Sequence, residues 1–374
     1  MAGRCPAALR AARTDPRQRP FPTPDMTRTI NPFDVATWWR PFRSDTRRFQ
    51  EVFPHHAEHA SLLRSSETLA YLIRSFTVYE MTCAALGHPG GSLSESDFLA
   101  ILFNHILRFD AKHPQWPQRD VFYLSKCHAC PALYAALALF GYFPLRDLER
   151  YGAWDSHLES HPDSTRTPGI EISGGSLGQI PGVAVGRALG IRRLGPDHAD
   201  RMVYVLLGDG ECNEGSVWEA FMAAGHYRLD NLVFIIDYNK VMAKGFVHAD
   251  MSLEPLADKL AAFNLEPRVL RNGHDVAELV DLGNHLAVQR HGRPAAVVLD
   301  TIKGKQVACC QYNPNWHTSA PRDAATAQAW LRELWERDGR RLGIPEEFAA
   351  ALGQAIRIVP PQHANPDRIT EKQA

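Results

Sequence analysis

The chain has 374 residues, 45% of them hydrophobic and 22% charged, which is typical of a folded globular protein and not of a disordered or fibrous one. Its formal net charge of −1 provides no overall basic field, so we expect it to bind neither nucleic acid nor an acidic membrane surface. No uninterrupted apolar run reaches the roughly 18 residues that a transmembrane helix needs, which argues against a membrane span.

The seven cysteines form an odd set with no secretory leader before them, which favours reduced thiols and a cytoplasmic location. Cys127 and Cys130 make one CxxC pair. A closed zinc site of this type normally needs a second such pair, so the sequence favours two small residues flanking His128 over a zinc or redox site.

The N-terminal segment differs from the rest of the chain. Residues 1–48 carry ten arginines, no lysine and many prolines, a composition that buries too little apolar surface to offset the entropy of ordering. We expect residues 1–52 to be a flexible extension; a transit peptide is the alternative, and the prolines disfavour its amphipathic helix. The aromatic stretch 32–42 is expected to dock on another surface, such as that of a partner.

From about residue 53 the pattern alternates between helices and short apolar strands. A helix is predicted over 67–86, with Leu69, Leu72, Ile73 and Phe76 at helical spacing, and Ser92 or Ser94 is predicted to cap a second helix that ends at 105. Further predicted helices are 131–140, 216–227, 275–289 and 330–336, and predicted strands are 121–125, 202–208, 231–237 and 295–301. This order predicts an α/β fold, a parallel sheet with helices on both faces, over 53–335, followed by a polar tail over 336–374.

The stretch LLGDGECNEG (206–215) resembles a phosphate-binding loop but matches neither standard pattern. The third glycine of the dinucleotide fingerprint would fall at Asn213, and Ser216-Val217 stands where a P-loop needs Lys-Ser/Thr. Asp209 instead follows one predicted strand, and Asn239 follows the next. Because ligands bind beyond the carboxyl ends of parallel strands, these oxygens could lie side by side and hold Mg²⁺ or Ca²⁺, which would bridge to a diphosphate. The alternatives are a helix N-cap for Asp209 and a turn residue for Asn239.

These residues belong to a series of segments that resembles transketolase. The spacing between GDG (208–210) and Asn239 resembles that of the diphosphate motif of thiamine diphosphate enzymes. Other segments narrow this resemblance to transketolase and occur in the order found in that family: GHPGGSLS (87–94), SKCHA (125–129), HPD (161–163), TPGIEISGGSLGQ (167–179), DYNK (237–240), TIKGK (301–305) and NPNWH (313–317). The resemblance covers about 67–321 and implies the thiamine diphosphate-binding fold, in its diphosphate-binding domain.

The resemblance implies roles for individual residues. Mg²⁺, with Ca²⁺ as a substitute, would be held by Asp209, Asn239 and the backbone carbonyl of Val241. The residues expected to contact thiamine diphosphate are His128, Gly175, Leu177, Gly210, Asn239, Lys303 and His317. The expected catalytic residues are His88, His128, His161 and His317 around the reacting carbon, and Glu214 in a proton relay. Histidine titrates near neutrality and so suits proton movement on sugar hydroxyls.

The sequence departs from the family in two motifs and in length. Cys127 stands where a glycine is usual, and Ile180-Pro181 replaces the usual Gly-Leu, although Pro181 suits the first turn of a helix. A second thiamine-type domain is not found. The resemblance therefore implies the N-terminal subunit of a split transketolase, which transfers a two-carbon ketol unit between sugar phosphates in an α₂β₂ or other oligomer with a C-terminal subunit. The alternatives are half of a 2-oxoacid dehydrogenase E1 or a related synthase, and a non-catalytic paralogue.

Overall fold

A computed structural model of the chain describes residues 30–37, 39, 56–288 and 292–359. Its strands form one parallel sheet in the order β1-β2-β3-β5-β4. The strands are β1 (Val121–Leu124), β2 (Val203–Gly208), β3 (Leu232–Tyr238), β4 (Glu266–Leu270) and β5 (Ala295–Asp300). The predicted parallel sheet is therefore confirmed, and β4 is a strand that the sequence patterns did not reveal.

The α-helices cover both faces of this sheet. They are α1 (His56–Ala84), α2 (Pro89–Ile101), α3 (Cys130–Leu139), α4 (Ile180–Arg193), α5 (Gly215–His226), α6 (Val247–Asp250), α7 (Leu256–Ala262), α8 (Val276–Val288), α9 (Ala324–Leu334) and α10 (Glu346–Ala355). Alternate strand residues point to opposite faces, so Tyr204 and Leu206 belong to the core cluster that includes α1, α2 and α3, while Val203 and Val205 belong to the cluster that includes α4 and α5.

The predicted cap of α2 is wrong. The helix begins at Pro89 with His88 at the N-cap position, and no side chain caps it. Proline suits the first turn because its missing N–H would have no partner there. The Ser92 hydroxyl donates to the His88 carbonyl at 2.9 Å, and Ser94 donates to Asp237 at 2.6 Å, so both serines act inside the helix. Pro181 does lie in the first turn of α4, as predicted.

Packed structure extends beyond the predicted domain at both ends. In the predicted N-terminal extension, Val35 and Trp39 are buried in the main core, and Phe33 contacts Tyr79 with ring centroids 5.4 Å apart. Residues 1–29, 38 and 40–52 of the predicted extension lie outside the described residues. In the predicted tail, α10 packs on α9, and its Phe348 is fully buried. No helix among the described residues is long and apolar enough to cross a membrane.

The C-terminal helix α10 should contribute to global stability. The ring of Phe348 lies 6.2 Å from that of Tyr71 and 6.1 Å from that of Phe76, centroid to centroid. Phe348→Ala would remove this contact and leave a cavity, so we expect a loss of about 3–5 kcal/mol in the free energy of unfolding, measured by urea denaturation. The same change at the exposed Phe246 should cost less than about 1 kcal/mol. Equal losses in the two variants would show that α10 is not part of the core.

Candidate functional site

A cavity of about 460 Å³ opens at the carboxyl ends of β1, β2, β3 and β5. Nine of the residues predicted to form the site line it: His88, His128, Leu177, Asp209, Gly210, Asn239, Val241, Lys303 and His317. The remaining predicted residues, Gly175, His161 and Glu214, lie outside this lining. The sheet positions the site because all parallel strands end at the same edge, and the loops that follow them converge there.

Asp209 and Asn239 lie at the ends of the neighbouring strands β2 and β3, as predicted. Both are buried, and the backbone N–H of Lys240 donates to Asp209 Oδ2 at 2.5 Å. Asp209 Oδ1 accepts the Gly210 N–H at 2.7 Å, and Asn239 Oδ1 accepts the Val241 N–H at 3.2 Å. The N-cap alternative for Asp209 therefore also holds, since Asp209 caps the short 3₁₀ turn Gly210–Asn213. These local bonds fix the side-chain oxygens at the sheet edge.

A buried ion pair lies beneath these two residues. Asp237, near the end of β3, accepts hydrogen bonds from Lys126 at 2.5 Å, from Asn239 at 3.0 Å and from Ser94 at 2.6 Å. It also accepts one from Thr301. Burial pushes the pKa of Asp237 up, but Lys126 and the hydroxyl donors outweigh it and leave that pKa below its ordinary value. Asp237 thus remains an anion in the core and orients Asn239.

Lys126 connects this pair to the cavity, which it lines. Its Nζ lies 3.1 Å from both Glu95 Oε2 and the Gly91 carbonyl oxygen. Burial raises the pKa of Glu95 to about 8, although Lys126 opposes the shift. Glu95 is therefore mainly protonated at neutral pH, which leaves the Lys126 charge matched to Asp237. Lys126 and Asp237 were not identified from the sequence. The signal that could have indicated them was a charged residue at the end of each apolar strand pattern.

Glu211 is a second residue that sequence reasoning missed. Its carboxylate accepts from the Gly178 N–H at 2.9 Å, from the Gly208 N–H at 3.2 Å and from the Ser125 hydroxyl. It thereby joins the ends of β1 and β2 to the glycine turn before α4. Gly178 has φ of 79°, and a Cβ there would lie 2.6 Å from Glu214 Cβ, so this turn accepts only glycine.

Lys303 follows β5 and directs its ammonium group into the cavity. Its Nζ donates to the Val241 carbonyl at 2.6 Å and approaches His317 Nδ1 at 2.8 Å. Burial lowers the pKa of Lys303, and Asp209 opposes that shift. Because an ammonium can only donate, His317 Nδ1 must accept, and the neutral ring carries its proton on Nε2, where a ligand can use it.

The four predicted histidines form one contiguous group. The ring centroid of His88 lies 4.9 Å from that of His128 and 5.6 Å from that of His317, and His128 lies 4.9 Å from His161. Burial lowers the pKa of His88 to about 4 and that of His317 to about 3, with neighbouring cationic groups adding to both shifts. Burial also lowers the pKa of His128. These rings are therefore neutral at physiological pH and available as hydrogen-bond donors and acceptors.

The residues outside the cavity lining occupy its surroundings. Gly175 packs on His161, since a Cβ there would come within 3.1 Å of the imidazole. Glu214 is exposed at the N-cap of α5, where it makes no side-chain cap hydrogen bond. The N-terminus of α5 favours a carboxylate, so the helix dipole by itself also accounts for an acid at this position.

The two cysteines of the CxxC pair have separate hydrogen-bond partners. Cys127 Sγ lies 3.1 Å from the Leu124 carbonyl, and Cys130 Sγ lies 3.3 Å from the Ser160 carbonyl. Cys127 also packs against Gly174, where a Cβ would come within 2.5 Å of its sulfur. No cluster of His, Cys, Asp and Glu suited to a metal ion occurs among the described residues. The CxxC pair therefore has a packing role here.

The loop that carries Lys303 is held by a residue that the sequence did not single out. His274 Nδ1 lies 2.7 Å from Asp97, and its Nε2 accepts the Ile302 N–H at 2.8 Å. Asp97 is paired in turn with the fully buried Arg74. Because Nε2 accepts a backbone donor, His274 donates from Nδ1 to Asp97, and this orientation fixes the start of the loop next to Lys303.

The donor set fits a hard divalent cation together with an anion. A carboxylate, an amide oxygen and a backbone carbonyl are oxygen ligands of the kind that Mg²⁺ prefers. Burial raises the pKa of Asp209, and Asp237 adds to the shift, so a cation at this position would favour the ionised carboxylate. The Val241 carbonyl accepts a hydrogen bond from the Lys303 ammonium, so this oxygen is available to a cationic group.

The neutral state of His88 predicts a pH dependence of stability. In the unfolded chain its pKa returns from about 4 to the ordinary value of 6.5, so between these values the unfolded state binds a proton that the folded state does not. This contribution to stability is lost as the pH falls through that window. We expect the free energy of unfolding of His88→Asn, measured in urea from about pH 7 to about pH 5, to fall less steeply than that of the natural chain.

The matched control is His226→Asn, which removes an exposed imidazole. It should reproduce the pH slope of the natural chain. If His88→Asn also reproduces that slope, then His88 is not held neutral by the fold.

Comparison with known proteins agrees with this site. The family model for the transketolase thiamine diphosphate binding domain matches residues 65–363. The 6-deoxy-6-sulfo-D-fructose transketolase subunit SqwG of Clostridium sp. (strain MSTE9) is 43% identical over 236 residues, which are 63% of this chain and 84% of that protein. An apulose-4-phosphate transketolase subunit of Actinobacillus succinogenes is 37% identical over 249 residues, 67% of this chain and 88% of that protein.

Longer relatives and solved structures match only in part of their length. Transketolase of Rattus norvegicus is 32% identical over 326 residues, so 86% of this chain corresponds to 51% of that protein. The structure of transketolase from Campylobacter jejuni superposes with a TM-score of 0.67 at 27% identity and covers 79% of this chain and 46% of that one. This chain thus spans about half the length of these full transketolases and most of the length of the two subunits. It belongs to the transketolase family, through that family's thiamine diphosphate-binding domain.

Proposed function

We propose that this chain is the diphosphate-binding subunit of a split transketolase, which moves a two-carbon ketol unit from a ketose phosphate to an aldose or aldose phosphate. One observation carries the proposal: Asp209, Asn239 and Val241 line one cavity at adjacent strand ends, and the same cavity is lined by the contiguous histidines His88, His128 and His317. The oxygen atoms of Asp209, Asn239 and Val241 suit a metal-bound diphosphate, and the histidines suit proton transfer on a sugar.

The floor of the cavity would hold the metal and the diphosphate. Asp209, Asn239 and the Val241 carbonyl are the proposed ligands of Mg²⁺, with Ca²⁺ as a substitute. Lys303 is proposed to neutralise a phosphate oxygen, because its ammonium is buried and no carboxylate of the described residues is bonded to it. Gly210, Gly175 and Leu177 are proposed to contact the cofactor, along with His128 and His317, which line the same cavity.

The histidines would act on the sugar. When bound, thiamine diphosphate supplies the electron sink that carbon–carbon cleavage beside a carbonyl requires. His317 would donate a hydrogen bond from Nε2 to a sugar oxygen, since Lys303 occupies its Nδ1 side. His88, His128 and His161 are proposed to orient the substrate hydroxyls and to exchange protons with them. The neutral rings of His88 and His128 can accept a proton and can also donate a hydrogen bond, whereas a protonated ring can only donate.

We further propose that the active site is completed by a C-terminal subunit that carries the pyrimidine-side domain, in an α₂β₂ or similar cytoplasmic assembly. Two relatives that this chain covers over most of their length are both named as transketolase subunits. Glu214 is proposed to serve a proton relay at that interface, which agrees with its exposed position beside Gly178. The names of the two subunits give different ketoses, so the sugar specificity is not a property of the family as a whole.

The alternatives are less well supported. A 2-oxoacid dehydrogenase component or a related synthase could use the same metal ligands, but the named relatives are transketolases. A non-catalytic paralogue would have no reason to keep Asp209, Asn239 and the histidine cluster together in one cavity.

The metal site is tested by Asp209→Ala. We expect this variant to lose Mg²⁺-dependent binding of thiamine diphosphate by at least about 100-fold, because it removes the charged ligand of the cation. The measurement is titration calorimetry on the chain assembled with its C-terminal subunit, with circular dichroism to confirm folding. The control is Asp281→Ala, at an exposed acid on α8, which should bind normally. Normal binding by Asp209→Ala would disprove the assignment.

The division of the active site is tested by reconstitution. We expect the purified chain, given thiamine diphosphate and Mg²⁺, to show no ketol transfer from a ketose phosphate to an aldose. Activity should appear on mixing with a C-terminal transketolase subunit, together with a larger species in size-exclusion chromatography. Such an obligate interface should bury more than about 2,000 Å². Robust transfer by the chain alone, with no second polypeptide on a gel, would contradict the proposal.

A further inference from the structure

Two adjacent cysteines lie in the loop between Lys303 and His317. Cys309 is exposed and Cys310 is buried, and their Sγ atoms are 4.0 Å apart. The other cysteines of the described residues are all buried, and burial raises the pKa of each: Cys83, Cys127, Cys130 and Cys212. Within the described part of the chain, this pair therefore combines the one exposed thiol with a second thiol close beside it.

We propose that Cys309 and Cys310 form a reversible thiol-modification site that reacts with low-molecular-weight disulfides, of which oxidised glutathione is the natural type. This site contains none of the residues proposed above to bind the cofactor or to act in catalysis. It is also distinct from the CxxC pair, whose two sulfurs are buried and bonded to separate backbone carbonyls.

The reaction takes place in two steps. The Cys309 thiolate attacks one sulfur of the small disulfide; the S–S bond breaks, one small thiol leaves, and a mixed disulfide remains on Cys309. Cys310 then gives up its proton to solvent and attacks the Cys309 sulfur, which releases the second small thiol. Two protein thiols are oxidised, and one small disulfide is reduced to two thiols. Burial raises the pKa of Cys310, so the second step should be the slower one.

Covalent geometry makes the product easy to reverse. Neighbouring Cα atoms are about 3.8 Å apart, which is less than the roughly 4.4–6.8 Å found in ordinary disulfides. A disulfide between adjacent residues is therefore strained and readily reduced, as in regulatory disulfides. The site would accordingly respond to the thiol–disulfide balance of its surroundings and would not act as a permanent crosslink.

The cysteine pair is mechanically connected to Lys303. The turn after Lys303 folds back, and the Tyr312 N–H donates to the Lys303 carbonyl at 3.1 Å. Gly304 has φ of 72°, and a Cβ there would lie 2.5 Å from the carbonyl carbon and oxygen of Cys310. There is no free space between these two backbones. We expect closure of the disulfide to shift the turn and to loosen the hydrogen bond between the Tyr312 N–H and the Lys303 carbonyl.

The test uses the intact chain with oxidised glutathione, followed by peptide mass spectrometry, which resolves this peptide from the one that contains Cys5. We expect the peptide with Cys309 to gain one glutathione and then to convert to a species lacking two hydrogens; dithiothreitol should reverse both changes. Hydrogen exchange at the Tyr312 amide should become faster in the closed form. This readout involves no cofactor, so it is independent of the proposed catalytic function.

Variants and a second reagent separate the two thiols. Cys309→Ser should react at least about tenfold more slowly, and Cys310→Ser should stop at the mixed disulfide. A trivalent arsenical that bridges two thiols should protect both cysteines of the natural chain from alkylation. This test requires no substitution at the buried Cys310. The proposal is overturned if the pair reacts no faster than the buried cysteines, or if the mixed disulfide never closes in the natural chain.

Discussion

The buried carboxylate of Asp237 is the constraint on which the rest of the site depends. It accepts from Lys126 after β1, from Asn239 after β3, from Thr301 after β5 and from Ser94 on α2. An isolated charge in the core would be very costly, and removal of one member of such a pair typically destabilises a protein by about 3–5 kcal/mol. Four segments that are distant in sequence must therefore meet at this carboxylate, and their meeting forms the floor of the cavity.

Above this floor the site separates charged groups from neutral ones. Lys126 and Lys303 are cationic groups near the position proposed for the diphosphate. Burial lowers the pKa of His88, His128 and His317, and Lys303 adds to the shift at His88 and His317. Both properties arise from the same arrangement. A cationic floor that favours an anion also disfavours protonation of the histidines, which keeps them available for proton transfer.

Much of the fold and part of the site could be predicted from the sequence. The alternation of strands and helices predicted the parallel sheet, and its parallel direction placed Asp209 beside Asn239. The supporting residues could not be predicted in this way, because Glu211 and His274 act through long-range contacts with backbone groups that no local pattern encodes. The same limit explains why α10 was not predicted. Its packing against α1 and α9 depends on tertiary contacts, whereas its segment alone resembles a polar tail.

The central proposal is that the sheet edge between β2 and β3 would hold a divalent cation next to a diphosphate. Pulsed electron paramagnetic resonance with Mn²⁺ in place of Mg²⁺ tests it most directly, on the chain loaded with thiamine diphosphate and assembled with its C-terminal subunit. The account predicts hyperfine coupling of the metal to phosphorus, with the coupling lost in Asp209→Ala. Mn²⁺ that shows only coordinated water, or phosphorus coupling that persists unchanged in Asp209→Ala, would contradict it.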